Sequence, residues 1–341
     1  MKNKRILKLV GNICMVAVLT LTLVLISGCT PAEGVYEIGI SQYGDFPALN
    51  DACEGFQDAL TAAVEAAGGN VTYDVQNAAT DSNLAATIAQ SFVTQGVDLI
   101  CAIATPCAQA AALAVNETDI PVVFNSVTNP VAAGLVDSWD VPGGQVTGVS
   151  DLAPVEPQLE LIEDILVANN ITFGTLGVIY NPGEANSVYQ VDVQLADAIA
   201  SLALNITVEE SPAYSTGEVL AAAEALVGLV DAIWIPTDNT VVTSIASVVT
   251  VCEDNDIPLF AADVNTVATG AVGAWGVDYY NVGYTSGEMA ADILLNGANP
   301  ATMAVQTLPA ELLYVYPEEA TRMGINITQS IIDIADVVVT D

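Results

Sequence analysis

The sequence predicts an α/β fold made of two similar lobes, each built around a parallel β-sheet. From residue 35 onward, short apolar runs alternate with longer amphipathic runs, which is typical of strands and helices in such a sheet. The alternation starts again near residue 171. Two closely similar phrases, DIPVVFNSV at 119–127 and DIPLFAADV at 256–264, occupy equivalent places in the two halves. They indicate equivalent strands of two related lobes.

The first half of the pattern contains strands separated by amphipathic helices. The predicted strands are 35–41, 70–76, 98–104 and 121–127, and the predicted helices are 48–69, 83–95 and 108–115. In the first helix, Phe56, Leu60 and Val64 recur at i, i+4 and i+8, and a glycine pair ends it. This order of elements is that of a parallel sheet covered by helices.

The second half repeats the same order of elements. The predicted strands are 172–181, 206–213, 232–238 and 257–264, and the predicted helices are 184–204, 217–229 and 240–255. In open parallel sheets, ligands bind beyond the carboxyl ends of the strands. The segments IATP, FNSV, IPTD and FAADV place polar side chains at those ends. Two facing lobes would therefore form a cleft with hydroxyls on one wall and carboxylates on the other.

The charge is strongly acidic because basic residues are missing. The chain has 41 Asp plus Glu, five Lys plus Arg and no His, with a formal net charge of −36. Such a surface repels phosphate backbones, so we expect no nucleic-acid partner. We interpret the acidity as adaptation to a saline or acidic exterior, and a specific role is the alternative. Arg322 is expected to pair with Glu318 or Glu319.

The N-terminus has the pattern of a secretion signal. A basic stretch precedes an apolar run at 13–27 that is shorter than a typical membrane span. Ile26-Ser27-Gly28-Cys29 then resembles the bacterial lipobox. We predict a signal peptide at 1–28, lipidation of Cys29 and a lipid-anchored location on the outer face of the cell membrane. An uncleaved anchor helix is the alternative.

The remaining cysteines do not predict a metal site. Cys53, Cys101, Cys107 and Cys252 have no zinc-type CxxC spacing. We interpret them as buried thiols, with a disulfide as the alternative. The sequence predicts no metal and no cofactor.

Three hydroxyl residues are candidates for holding a ligand carboxylate. Thr105 precedes a proline suited to the first turn of a helix, whose free N–H groups can bind an anion. Ser126 and Thr128 add hydroxyls nearby in the chain. Thr105 would alternatively cap its own helix.

Carboxylates at two strand ends are candidates for holding an ammonium group. Asp238 and Asp263 follow two strands of the second half, and an ammonium group is bound best by a carboxylate with little water around it. Asp238 is also a good N-cap for the helix that follows, which is the alternative for that residue. Hydroxyls facing carboxylates suit a zwitterion and therefore predict an α-amino acid. A sugar or a nucleoside remains open.

Further candidates lie in two loops. Glu184, Asn186 and Ser187 follow a predicted strand and either face the cleft or cap the next helix. Tyr43 and Phe46 follow the first strand and either stack on an aromatic or apolar ligand or belong to the core.

Catalysis is not expected. Without histidine, no Ser-His or Cys-His nucleophile pair can form. The chain also lacks GxSxG, GxxxxGK[ST] and a GxGxxG after the first strand. The sequence therefore predicts that the chain is not an enzyme.

Several ordered motifs resemble one family of binding proteins. They are PALNDACEGF, AIATPCAQAA, IPVVFNSVTNPVAAGLV, VTGVSDL, YNPGEANS, IPTDNTVV, PLFAADV and GVDYYNVGYTSGEMAADIL. Together they cover roughly 36–330 and resemble the substrate-binding lipoproteins of bacterial ABC transporters of the tryptophan/tyrosine type. Phe46 departs from the family, whose members commonly carry histidine before Pro-Ala-Leu.

The resemblance implies a type I periplasmic-binding-protein fold, in which two Rossmann-like lobes are joined by hinge strands and close over a small molecule. It implies crossings near 150, 277 and 309. We therefore assign 1–28 to the signal peptide, 29–34 to a tether, 35–150 plus 278–308 to lobe 1, and 151–277 plus 309–341 to lobe 2. The implied partners are an ABC permease with its ATPase, and we expect a monomer. A lipid-anchored ligand-sensing receptor domain is the alternative.

Overall fold

The computed structural model describes residues 34–309 and 312–341, which form two α/β lobes, each around its own sheet. The predicted α/β fold with two parallel-sheet lobes is confirmed. The predicted signal segment and Cys29 lie outside the described residues. Within the described ranges, no helix has both the length and the apolar character needed to cross a bilayer.

The first lobe is built on a six-stranded sheet. Its strands are β1 (Val35–Gln42), β2 (Asn70–Asn77), β3 (Leu99–Ile103), β4 (Val122–Asn125), β5 (Val146–Ser150) and β11 (Gln306–Thr307). They pair in parallel in the order β11-β5-β4-β3-β1-β2. Every residue of β3, β4 and β5 is buried, because helices cover both faces of a parallel sheet. The carboxyl ends of these central strands therefore share one edge.

The second lobe is built on a seven-stranded sheet. Its strands are β6 (Thr175–Tyr180), β7 (Thr207–Pro212), β8 (Ala232–Ile235), β9 (Leu259–Ala261), β10 (Gly273–Gly276), β12 (Leu312–Val315) and β13 (Val337–Val338). Their order is β13-β12-β10-β9-β8-β6-β7, and the β10–β12 pair is antiparallel whereas the other pairs are parallel. The central strands β8 and β9 again end at one common edge.

Helices connect the strands of both sheets. They are α1 (Pro47–Ala66), α2 (Ser82–Gln95), α3 (Thr105–Ala114), α4 (Glu156–Ala168), α5 (Ala185–Tyr189), α6 (Ala196–Ser201), α7 (Val219–Ala225), α8 (Asn239–Thr243), α9 (Ile245–Asp254), α10 (Tyr279–Asn296), α11 (Pro317–Arg322) and α12 (Gln329–Ile332). A π-helical turn, Gln190–Leu195, joins α5 to α6 within the predicted helix at 184–204. The helix predicted at 240–255 is two helices, because Ser244 leaves helical geometry with φ −115° and ψ 20°.

The chain passes between the two sheets three times. The crossings follow β5 and β10 and lie between β11 and β12. After the second crossing, α10 returns to the first lobe and packs along α1. Glycine makes this packing possible, since a Cβ on Gly283 would lie 2.0 Å from the Ala52 carbonyl oxygen. The start of α10 is thereby held next to the crossings.

Candidate ligand-binding cleft

A cavity lies where the carboxyl ends of strands from both lobes meet. The cavity volume open to the centre of a water-sized molecule is about 20 Å³, within about 330 Å³ of atom-free space that includes open solvent. The first lobe contributes Phe46, Ala48, Leu49, Ser126 and Thr128 to its lining. The second lobe contributes Asn186, Thr237, Asp238, Asn239, Val242 and Asp263. Asp151 and Tyr279, which lie at two of the chain crossings, complete it.

The apolar part of the lining comes from the start of α1 and from α8. Phe46 is the residue before α1, and Leu49 lies in the first turn of that helix. Pro47 favours a helix start here because its fixed φ suits the first helical position. Val242 of α8 faces the same space from the other lobe. These side chains offer a surface for an apolar or aromatic group.

The hydroxyl part of the lining follows β4. Ser126 has a left-handed φ of +56°, and its hydroxyl donates to Asn125 Oδ1 at 3.2 Å. Ala104, at the end of the neighbouring strand β3, also has a positive φ, +76°. Such strained non-glycine residues cluster at ligand sites. Thr105 is buried beside them, and its Oγ1 has no hydrogen-bond partner among the described residues, but it does not border the cavity.

Asp238 borders the cavity and also holds the lobe together. Its carboxylate caps α8 by accepting from Val241 N at 2.8 Å, and it accepts from Asn181 N and the Ser187 hydroxyl at 2.6 Å each. Burial raises the pKa of Asp238, and the charge of neighbouring Glu184 raises it further. Asp238 therefore caps the helix that follows it, as the alternative in the sequence analysis stated, and it also borders the cavity.

Glu184 and Ser187 lie behind the lining and do not border the cavity. The carboxylate of Glu184 accepts from the backbone and side chains of Asn239 and Thr240 at 2.6–3.2 Å. It also accepts from Asn186 Nδ2 at 3.1 Å. Glu184 therefore holds the start of α8 instead of facing the cavity. The sequence offered capping of the helix that directly follows Glu184 as the alternative, but its side chain makes no cap hydrogen bond to that helix.

Asn186 does border the cavity from the second lobe. Its Nδ2 donates to the Thr237 carbonyl at 2.6 Å, whereas its buried Oδ1 has no hydrogen-bond partner among the described residues. Thr237 is held in turn by Gln190 of the π-helical turn, whose Oε1 accepts from Thr237 N at 2.6 Å. The turn thus places an acceptor oxygen of Asn186 at the cavity wall.

Asp263 borders the cavity at the end of β9. Its Oδ1 accepts from Asn265 N at 2.8 Å and caps the short 3₁₀ helix Val264–Thr269. Burial raises the pKa of Asp263 to about 7, and the charge of Asp151 contributes to the rise. A cation in the cavity would lower this pKa again.

Asp151 and Tyr279 border the cavity but were missed in the sequence. The Tyr279 hydroxyl donates to Asp151 Oδ2 at 3.1 Å. Burial raises the pKa of Asp151 to about 6. The signal for Asp151 was present, because it directly follows β5 in the motif VTGVSDL, at the same sheet edge as Ser126. Tyr279 gave no such signal, since it opens a helix and only the crossing of the chain brings it to the cleft.

The ten predicted site residues therefore divide into two groups. Phe46, Ser126, Thr128, Asn186, Asp238 and Asp263 border the cavity, whereas Tyr43, Thr105, Glu184 and Ser187 do not. Tyr43 is buried in the first lobe, where its hydroxyl meets the Thr80 carbonyl at 3.0 Å and the Ser82 hydroxyl at 3.1 Å. It therefore belongs to the core, which was the alternative considered for these aromatic residues.

Two hydrogen bonds join the lobes across the cleft. The hydroxyls of Thr128 and Thr237 lie 3.0 Å apart, and Asn265 Nδ2 donates to Asp51 Oδ2 at 2.5 Å. Asp51 and Thr128 belong to the first lobe, and Thr237 and Asn265 to the second. The cleft is therefore closed in this structure.

The predictions for Arg322 and the cysteines agree with the structure. Arg322 pairs with Glu319, and also with Asp341, far from the cavity. Cys53, Cys101, Cys107 and Cys252 are free, buried thiols.

Comparison with known proteins confirms the resemblance noted in the sequence. Residues 37–339 match the family of ABC transporter substrate binding proteins. The chain is 39% identical over 279 residues to the tyrosine-binding protein of Clostridioides difficile (strain R20291), covering 82% of this chain and 78% of that protein.

Two solved structures more than 30% identical to this chain show the same fold. An ABC domain from Streptococcus pneumonia in complex with L-Trp is 31% identical, has a TM-score of 0.82 and covers 90% of this chain and 100% of its own. A ligand-free, open substrate binding protein from Clostridium difficile is 35% identical, covers 90% of this chain and 100% of its own, and has a TM-score of 0.63. With its fold, its interlobe cavity and its sequence in agreement, the chain belongs to the ABC transporter substrate-binding protein family.

Proposed function

We propose that this ABC transporter substrate-binding protein delivers an amino acid with an aromatic or apolar side chain to its transporter. The names of its relatives support this ligand class, since one is a tyrosine-binding protein and another was solved with L-Trp. The observation that carries the proposal is the lining of the cavity. It combines hydroxyls, carboxylates and apolar side chains where the strand ends of the two lobes meet.

Each part of a zwitterionic ligand has matching groups in this lining. Asp263 and Asp238 both border the cavity and offer carboxylates for the ligand ammonium group. The hydroxyls of Ser126 and Thr128 offer donors for the ligand carboxylate. Phe46 offers an aromatic face for the ligand side chain.

The mature protein would work outside the cytoplasm, anchored by a lipid on Cys29. We expect it to act as a monomer that closes over its ligand by hinge motion and docks on a permease, whose ATPase drives import. The two interlobe hydrogen bonds support a stable closed form. A lipid-anchored sensor would bind the same ligand without a permease.

The test is thermal unfolding of residues 30–341 with each of the twenty amino acids, and with sugars and nucleosides. A ligand at 100 times its dissociation constant adds about 2.7 kcal/mol to the free energy of unfolding. We expect the melting temperature of the wild type to rise with a few aromatic or apolar amino acids. The same amino acids should not raise the melting temperature of Asp263→Asn. Asp140→Asn is the matched control, because Asp140 is exposed and does not border the cavity.

Two results would change the conclusion. A rise with a sugar or a nucleoside, and with none of the amino acids, would overturn the proposed ligand class. Transport assays would decide between importer and sensor, since ligand uptake that persists after the gene is deleted would contradict the importer role.

A further inference from the structure

We propose that Asp151, positioned by Tyr279, recognises a primary amine on the ligand, so that a free amine is the feature for which the cleft selects. This inference rests on the proposed function and assigns two residues that the sequence did not identify. It also narrows the ligand class to compounds that carry an amine. A carboxylate or a hydroxyl alone would not give tight binding.

Asp151 has one carboxylate oxygen without a partner. The residue is only 4% exposed and borders the cavity. Its Oδ2 accepts the hydroxyl of Tyr279 at 3.1 Å, whereas its buried Oδ1 has no hydrogen-bond partner among the described residues. A buried carboxylate oxygen without a donor is unfavourable, and a ligand donor would relieve this cost. Tyr279 orients the carboxylate by occupying the other oxygen.

A second acceptor without a partner borders the same cavity from the wall of the second lobe. Asn186 is also 4% exposed, and its Oδ1 has no hydrogen-bond partner within 34–309 and 312–341. Asp263 adds a carboxylate that lies close enough to Asp151 for the charge of Asp151 to raise its pKa. An ammonium group carries three N–H donors and one positive charge. It matches Asp151, Asn186 and Asp263 in both hydrogen bonding and charge.

The protein supplies no positive charge of its own at this site. None of the residues that line the cavity is basic. Arg322, the basic residue of the described ranges, is held by Glu319 and Asp341. Buried carboxylates require a counter-charge or a proton, so the ligand has to bring the charge or the site has to be protonated. A neutral polyol would satisfy neither requirement.

The position of the pair explains how an amine would favour the closed form. Asp151 directly follows β5 and Tyr279 opens α10, so both lie at chain crossings between the lobes. Asn186 and Asp263 lie on the wall of the second lobe. An amine bound by all of them contacts the crossings and that wall together. Closure would then depend on the amine more than on any other ligand group.

The experiment compares amino acids with the same acids lacking the amine. Calorimetric titration of residues 30–341 would use L-tyrosine against phloretic acid and L-leucine against isocaproic acid. For the wild type, we expect the amino acid of at least one pair to bind about 100-fold more tightly than its deaminated partner. In Asp151→Asn this preference should fall to less than about 10-fold. The amino acid would lose the interaction of its ammonium group with the Asp151 carboxylate, whereas the deaminated acid makes no such interaction and should bind as before. Asp278→Asn is the control, since Asp278 caps α10 without bordering the cavity.

Tyr279→Phe tests the positioning role separately. Ligand binding by wild type should weaken as pH falls below about 6, where Asp151 becomes protonated. Removing the hydroxyl removes a hydrogen bond that lowers the pKa of Asp151, so this loss should begin at a higher pH in Tyr279→Phe. Asp263 and Tyr279 are titratable groups whose pKa values the charge of Asp151 raises, and Asp263→Asn would identify the contribution of Asp263 to the pH profile. An unchanged pH profile in Tyr279→Phe would contradict this role.

Failure of this inference differs from failure of the proposed function. Equal binding of an amino acid and its deaminated partner by the wild type would overturn amine recognition and leave an amino-acid cleft in place. An unchanged amine preference in Asp151→Asn would overturn the assignment of Asp151. Binding of a sugar, with no binding in either pair, would overturn both.

Discussion

Arg322 makes several stabilising contacts in an otherwise acidic region of the chain. It is the basic residue of the described ranges, and its guanidinium pairs with Glu319 and with Asp341. It also lies 5.7 Å from the ring centre of Tyr316, whose hydroxyl donates to Asp341 at 2.7 Å. These contacts tie the C-terminal residue to α11 and therefore to the second lobe.

We expect Arg322→Gln to lower the melting temperature without changing ligand affinity. The substitution leaves Glu319, which is 3% exposed, without its counter-charge. Differential scanning calorimetry of the ligand-free protein would measure the effect. Arg322→Gln/Glu319→Gln should recover part of the loss, because it removes the unpaired charge. Equal melting temperatures for Arg322→Gln and wild type would contradict the prediction.

The helix pair α1 and α10 connects packing in the first lobe to the geometry of the cleft. Glycines on both helices allow their backbones to approach, since a Cβ on Gly55 would lie 2.1 Å from the Tyr280 carbonyl oxygen. Leu49 in α1 and Tyr279 in α10 both border the cavity. A change in the distance between these helices would therefore change the cavity lining.

We expect Gly283→Ala to destabilise the protein by about 1–3 kcal/mol, because the added methyl group would overlap the backbone of α1. Ligand affinity should also fall, since α10 carries Tyr279. Chemical denaturation and calorimetric titration would measure the two effects. Gly144→Ala is the matched control, because a Cβ there meets no atom within 4 Å. The same loss of stability in both variants would contradict the packing argument.

The interlobe contacts belong to the scale of the whole molecule. Asp263 caps the turn that begins at Val264, and Asn265 in that turn reaches Asp51 in the other lobe. A cavity residue and an interlobe hydrogen bond therefore share one short segment. A ligand that contacts Asp263 would therefore also affect the interlobe hydrogen bond between Asn265 and Asp51.

We expect Asn265→Ala to shift the ligand-free protein toward an open form. The substitution removes the hydrogen bond to Asp51 but leaves the backbone N–H that Asp263 accepts. Small-angle X-ray scattering should show a larger radius of gyration, and ligand affinity should fall a few-fold. Asn326→Ala serves as control because that side chain is exposed and remote from the cleft. A radius equal to that of wild type would contradict the prediction.

The buried carboxylates also determine how stability depends on pH. Burial raises the pKa of Asp151 to about 6 and that of Asp263 to about 7. Both values lie above those of the unfolded chain, so the folded protein binds more protons than the unfolded one as pH falls from about 8 to 5. Stability of the ligand-free protein should therefore rise over this range.

Chemical denaturation at several pH values would measure this rise. Molar salt in every sample would screen the long-range repulsion that accompanies a net charge of −36. Asp263→Asn should flatten the dependence, because it removes one of the titrating groups. Loss of stability on acidification from pH 8 to 5 in wild type would contradict the assignment of raised pKa values.

Much of the architecture was predictable because strands and helices depend on the local periodicity of apolar residues. The apolar runs that became β1, β3, β6 and β8 were recognised with boundaries close to those observed, since strands buried on both faces contain almost only apolar residues. Strands β5 and β10 were not identified by pattern. VTGVS and GAWG are short and contain glycine, so their periodicity is weak.

The sequence by itself determined the fold class and the carboxylates and hydroxyls at the strand ends, because these depend on local periodicity and residue type. Its ordered motifs also carried the family resemblance that implied the binding role. Only the tertiary structure decided which polar groups face the cavity. Glu184 and Ser187 turn to neighbouring backbone and side-chain groups, whereas Asp151 keeps an oxygen without a partner. The pairing of Asp151 with Tyr279 joins residues 128 positions apart. This hydrogen bond forms because both residues lie where the chain crosses between the lobes. The local sequence around either residue does not predict that they are in contact.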